Sequence, residues 1–128
     1  MSLRERTRLK LFIKKLIKAE GGELSSLNYI FCNNKKLLKI NQEFLGHDDY
    51  TDIITFNLSP DPQIIEGEVY ISVDRVRENA RIFKSPLKEE LLRVVFHGAL
   101  HLCGYRDKNK VDIKEMRKAE DRWLSEFK

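Results

Sequence analysis

The sequence predicts an α/β domain of the α+β kind, a small mixed sheet of three to four strands flanked by about five helices. Three observations predict it. A chain of 128 residues is too short for two cores, so residues 1–128 make one domain. Its apolar residues alternate between a helical period and short runs rich in β-branched and aromatic residues. Glycine, proline and asparagine fall between those segments, where the chain must turn.

The elements follow in order. Leu9, Phe12, Ile13, Leu16 and Ile17 recur at helical spacing between lysines and arginines, predicting an amphipathic helix over residues 5–19, closed by Gly21 and Gly22. Leu27 to Cys32 reads as a strand, and Asn33-Asn34 as a turn and helix N-cap. Leu37, Leu38, Ile40, Asn41, Phe44 and Leu45 continue as a short helix ended by Gly46. Residues 52–57 and 67–73 are two further strands, the second carrying Val69, Ile71 and Val73 on one side, with Pro60 and Pro62 holding the loop between them out of the sheet. Asp74 can cap a helix running to Phe83, and Ser85-Pro86 starts the next, with Glu89 and Glu90 in its first turns. That helix is apolar on nearly all sides at Leu91, Leu92, Val94, Val95 and Phe96, the mark of a buried element. Residues 111–127 form a charged amphipathic helix with Ile113, Met116, Ala119, Trp123 and Leu124 as its inward stripe.

Composition excludes several classes. The apolar fraction of 41% and charged fraction of 34% are those of a soluble domain, and no apolar run approaches the ~20 residues that cross a bilayer. No secretory signal is legible, so the expected compartment is the cytoplasm. Cys32 and Cys103 belong to no CxxC motif and indicate no disulfide framework. Residues 4–18 hold seven Lys or Arg against one Glu, which suits a polyanionic partner or, equally, a solvated helix face.

The densest chemistry lies in His97-Gly-Ala-Leu-His101-Leu-Cys-Gly104-Tyr-Arg-Asp107. Residues four apart share a helix face, so His97 and His101 can offer two imidazole nitrogens to one ion. Gly104 ends the helix and lets Asp107 return as a third ligand. Two His and a carboxylate suit a Zn²⁺ ion with a fourth position open, the arrangement of catalytic rather than structural sites. Cys103 is turned away from that face. Imidazoles on a buried helix also need partners, which an ion would supply. Surface His pairs and hydrogen-bonded core histidines share the spacing, but Gly104 and Asp107 add what such pairs lack.

Three segments together resemble the YbeY endoribonucleases. The His97–Asp107 segment resembles their signature HGxLHLxGYDH; Asn41-Gln-Glu-Phe-Leu-Gly-His-Asp-Asp-Tyr-Thr-Asp-Ile-Ile-Thr-Phe56 resembles LNxxYRGKDxPTDVLSF; and Glu66-Gly-Glu-Val-Tyr-Ile-Ser72 resembles LGDIxIS. The resemblance implies a small α/β metalloprotein holding one Zn²⁺ in the helical tripod. It also implies cleavage of single-stranded RNA, with action on ribosomal particles in 16S ribosomal RNA 3′-end maturation and ribosome quality control. The expected state is a monomer with no membrane or DNA partner. Three departures stand out. Asp107 replaces the usual third His, adding negative charge that makes a bound water less acidic. Leu45 aligns with the family arginine, so that residue's phosphate role has no carrier here. The sequence starts at the helix that in the family usually follows a first strand.

Gly98 stands where the HExxH proteases place their general-base Glu, which argues against peptide hydrolysis. Phosphodiester cleavage needs a polarising metal and cations for the oxyanion. Arg93 continues the His97/His101 stripe one turn earlier and can grip a phosphate, or can pair with Glu89 or Glu90. Arg106, beside Asp107, is a second candidate cation; His47 and Thr55 are candidates to line the cleft. Two alternatives stay open: a non-catalytic ribosome assembly factor with a structural metal, and a metal-dependent hydrolase of another substrate.

Overall fold

The computed structural model describes residues 2–46 and 51–128. Its elements run α1 (Leu3–Ala19), β1 (Glu23–Cys32), α2 (Asn34–Leu45), β2 (Ile53–Asn57), β3 (Ile64–Ser72), α3 (Val73–Ile82), α4 (Leu87–Leu102) and α5 (Lys110–Phe127). Three strands form one sheet in the order β1-β3-β2, with β1 parallel and β2 antiparallel to β3. The parallel pairing follows from the long α2–β2 crossover, while β2 and β3 are joined by a short loop that closes as a hairpin.

The sheet separates two apolar layers. On one face Ile65, Val69 and Ile71 of β3 meet α1, α4 and α5 in the main core, where Leu16, Phe96, Leu100 and Trp123 are enclosed. Phe12 links three of these elements through ring contacts with Phe96, Trp123 and Phe127. On the other face α2 lays Leu37 and Ile40 over Ile54, with Phe56 and Tyr70 beside them. The period-two alternation of β3 is thus read on both sides, and α4 lies inside the larger layer beyond its exposed start at Leu87 and Lys88.

Several local expectations are corrected. Glu23–Ser26 extend β1 beyond the apolar run because its backbone pairs with β3 from Glu23 opposite Ile64, with an irregularity at Ser25. Ser72, not Asp74, caps α3: its hydroxyl accepts from the Arg75 N–H, so the strand stops there and Val73 opens a helix. The Asp74 carboxylate instead accepts from the Asn34 N–H at the start of α2. Ile113 is 53% exposed although it lies on the apolar stripe of α5, because the first turn of that helix overhangs a cleft. The basic run of α1 is partly committed to structure: Arg8 stacks on the Phe127 ring and donates to its carbonyl, and Glu5 of the same helix pairs with Lys88. Cys32 and Cys103 are free thiols, and Cys103 packs against the main core, where burial pushes its pKa up to about 11. Among the described residues no helix is long and apolar enough to cross a membrane.

Candidate metal centre

Two glycines set the frame for the histidines. A Cβ on Gly98 would meet Val69 Cγ1 at 2.8 Å, so only glycine lets α4 press onto β3 at that depth. Gly104 takes φ +107, a conformation that side chains disfavour, and turns the chain back over the helix end. The Tyr105 N–H then bonds to the Leu100 carbonyl at 3.0 Å, which swings the Tyr105 carbonyl beneath His101.

His97, His101 and Asp107 come together as their spacing implied, their ligand atoms within 4.8 Å of one another. A single Asp107 oxygen, Oδ2, lies 3.2 Å from His101 Nε2 and 3.6 Å from His97 Nε2. The rings stand nearly perpendicular, with centroids 4.6 Å apart. Ligands about 2.0–2.1 Å from a tetrahedral ion are spaced by about 3.3 Å, close to both separations made by Asp107.

The opposite ring nitrogens decide the chemistry. His97 Nδ1 donates to Glu120 Oε2 at 2.6 Å, and His101 Nδ1 donates to the Tyr105 carbonyl at 3.0 Å. Carboxylates and carbonyls only accept, so both imidazoles carry their proton on Nδ1. In the neutral rings each Nε2 therefore presents a lone pair toward a carboxylate oxygen. Three acceptors converge with no donor of their own, and only a cation between them, proton or metal, relieves the arrangement. The donor set thus fits a divalent ion, and the partners that orient the imidazoles are those zinc-binding histidines require.

Glu120 was not visible to sequence reasoning as a site residue. It is buried on α5, its Oε1 accepting from Arg93 at 3.0 Å while the other nitrogen of that guanidinium holds Asp121 at 2.8 Å. Arg93 thus continues the histidine stripe, but it faces α5 and pairs there rather than with Glu89 or Glu90. Burial works to lower the pKa of His97, yet the Glu120 hydrogen bond and charge, aided by Asp52 and Asp107, leave it raised. Burial likewise opposes the charge of Arg93, and Asp121 and Glu120 outweigh it.

A cleft of ≈ 390 Å³ runs from His97 and Asp107 between α3, α4 and α5, lined also by Asp52, Phe83, Arg93 and Arg117. Asp52, just ahead of β2, was a second residue without a role in the sequence reading; its backbone carbonyl accepts from the Ser72 N–H at the edge of the sheet. Thr55 is a half-buried residue of β2 outside that lining. Arg106 is exposed beside Asp107, Leu45 is exposed at the end of α2, and His47 lies outside the described residues.

Residues 3–128 match the family model described as Endoribonuclease YbeY. Proteins named Endoribonuclease YbeY from Flavobacterium psychrophilum and Cytophaga hutchinsonii are each 46% identical to this chain. The first aligns over 98% of this chain and 89% of its own length, the second over 96% and 86%. The solution structure of TM1509 from Thermotoga maritima superposes with a TM-score of 0.69 at 34% identity, covering 94% of this chain and 79% of that one.

Proposed function

The chain belongs to the YbeY endoribonuclease family, and from that membership we propose that it is a zinc-dependent endoribonuclease of single-stranded RNA, acting on ribosomal particles in 16S ribosomal RNA 3′-end maturation and ribosome quality control. In this reading it works as a cytoplasmic monomer. RNA cleavage is the family activity; one zinc ion on His97, His101 and Asp107 is our assignment for this chain.

The observation that carries the reading is the convergence of two Nε2 lone pairs on Asp107 Oδ2, with each Nδ1 anchored outward. A divalent ion bound there supplies Lewis-acid polarisation of water or of a phosphoryl oxygen. The chain's own groups do the rest. Glu120 and the Tyr105 carbonyl fix the tautomer and tilt of the two rings. Arg93, paired through both terminal nitrogens with Glu120 and Asp121, holds Glu120 against His97 rather than gripping the phosphate, and Arg106 offers an exposed guanidinium beside Asp107. With Leu45 where the family has arginine, Arg106 is left to carry the phosphate role.

The test is metal content and RNA cleavage together. Purified protein is expected to contain zinc and to cleave single-stranded RNA in a manner abolished by chelation and restored by Zn²⁺. His97→Ala and His101→Ala are each expected to lose both properties. Full metal occupancy in both variants overturns the ligand assignment. Binding to ribosomal particles without chelator-sensitive cleavage favours a non-catalytic assembly role.

A further inference from the structure

The cleft beside the histidines has a composition that suits a base better than a phosphate. Its carboxylates are Asp52, Glu90, Asp107 and Glu120, against the guanidinium groups of Arg93 and Arg117. Arg93 is spent on Glu120 and Asp121 at 3.0 and 2.8 Å, so away from the metal ligands the cleft keeps, among the described residues, no unpaired guanidinium inside to take a phosphate. Its walls are apolar: Phe83 from the end of α3, Val94 from α4, and Ile113 and Met116 from α5.

Phe83 and Ile113 stand out among these. Both line the cleft, yet Phe83 is 62% and Ile113 53% exposed, so neither contributes much to the core. The other large aromatics near α4 and α5, Phe96, Trp123 and Phe127, are enclosed. Between Glu90 and His97 the cleft follows seven residues of α4, a length of about 10 Å at ~1.5 Å per residue. A base can therefore lie at the far end while its phosphate reaches His97 and Asp107. Arg117 sits at the edge with 58% of its side chain exposed and only a 3.9 Å approach to Glu120.

Building on the endoribonuclease reading, we propose that this cleft is a nucleobase subsite of the RNA substrate. Phe83 is the stacking platform, Ile113 and Met116 complete the apolar slot, and the Asn79 amide in the lining is placed to meet the base edge. Arg117 contacts the phosphate next to that base. An uncharged π-face suits an apolar slot with an acidic floor, and stacking on an aromatic ring tolerates any base. Phe83 and Arg117 are thus positioning residues; neither touches the reacting atoms.

The experiment uses zinc-loaded full-length protein and short single-stranded RNA oligonucleotides, intact or with one base removed at successive positions around the cleavage site. Removing the base that fills the slot is expected to weaken the wild type roughly tenfold, through KM rather than kcat. Phe83→Ala is expected to bind the intact RNA as poorly as the wild type binds the abasic one, and to be insensitive to that base removal. Phe83→Trp is expected to restore both affinity and sensitivity. Arg117→Ala is expected to reduce the slope of log affinity against log salt by about 0.7. Since Phe83 is exposed, its variants should melt with the wild type. A Phe83→Ala protein that keeps wild-type KM, or keeps full sensitivity to the abasic position, overturns the subsite while leaving the nuclease reading intact. A wild type that neither binds nor cleaves single-stranded RNA overturns both.

Discussion

Replacing Glu120 by glutamine isolates what the buried carboxylate does for the metal centre. Its two oxygens serve different donors: Oε1 accepts from Arg93 at 3.0 Å and Oε2 from His97 Nδ1 at 2.6 Å. A carboxamide of the same shape has one acceptor oxygen and one NH₂ group. With its oxygen on Arg93, its NH₂ faces His97 Nδ1, and the ring is pushed to the other tautomer, its proton on the Nε2 that a metal would need. Hydrogen bonds to charged groups contribute about 1.5–3 kcal/mol, and at a site this enclosed little of that is screened, so metal-free Glu120→Gln is expected to lose about that much stability. The His97 ring also loses the charge that fixes its orientation and raises its basicity. Loss of such a partner costs about 10–100-fold in metal affinity, the drop expected in competition with a chromophoric chelator at neutral pH. Arg93 acts on the ring through Glu120, so Arg93→Gln should weaken zinc binding less, and the double variant should lose less than the sum of the two. Undiminished zinc affinity in Glu120→Gln would refute the idea that this carboxylate sets the ring, leaving it a structural ion pair alone.

Other perturbations test the frame around the site. Gly98→Ala places a methyl 2.8 Å from Cγ1 of the enclosed, β-branched Val69 and 3.1 Å from Ile53 Cδ1, so about 1–3 kcal/mol of destabilisation is expected in urea unfolding, with weakened zinc binding as α4 shifts. Glu20→Ala removes the acceptor shared by Trp123 Nε1 at 3.0 Å and the Tyr105 hydroxyl at 2.9 Å; the orphaned indole N–H should cost about 1–3 kcal/mol, visible as a lower Tm. Tyr29 donates its hydroxyl to the Val95 carbonyl, and burial first, with the nearby Cys103 second, raises its pKa above 10.0. An acid whose folded pKa is raised stabilises fully below its unfolded pKa, and that contribution is lost as pH climbs past it. Tyr29→Phe is therefore expected to be about 1 kcal/mol less stable near neutrality and to lose less on going above pH 10.0, as read by Tm at two pH values. A Tyr29→Phe curve parallel to wild type would refute that assignment.

Local signals were sufficient for the part of the site carried on one continuous segment. The four-residue spacing of His97 and His101 holds on any helix, and Gly104 announces the reversal that brings Asp107 back. The sheet and its helices were legible for a similar reason, since period and turn residues are written locally. Partners from distant segments were not. Glu120 occupies an apolar stripe with Met116 and Trp123, four residues after one and three before the other, which is the one trace it leaves in sequence. On a helix crowded with charge, nothing tells a buried glutamate from a solvated one until α4 is packed against it. Arg93 was misplaced by the same blindness: its stripe was right, but the facing element was α5. Ile113 fails in the opposite direction, on the stripe yet exposed, because the apolar face of α5 runs past the end of the surface that covers it.

The way the polar groups of α4 are held explains how a largely buried helix can aim two imidazoles at one carboxylate beyond its end. Arg93 and His97 are held by α5, His101 by the turn after Gly104, and the residue in that turn, Tyr105, by Glu20 at the end of α1. Glu20 also receives the indole N–H of Trp123, so the anchor of the turn and the packing of α5 share one carboxylate. Each imidazole is thus aimed by contacts that exist only when α1, α4 and α5 are assembled, and disturbing any of those helices disturbs the ligands. The converse follows from linkage: an ion that relieves the converging acceptors binds the assembled state and not the unfolded chain, so its binding energy is returned as cohesion among the helices that built the site. The same core that stabilises the domain therefore sets the precision of its chemistry. The cleft mouth, lined by exposed Phe83, Ile113 and Arg117, is free of that constraint and can be shaped for substrate instead.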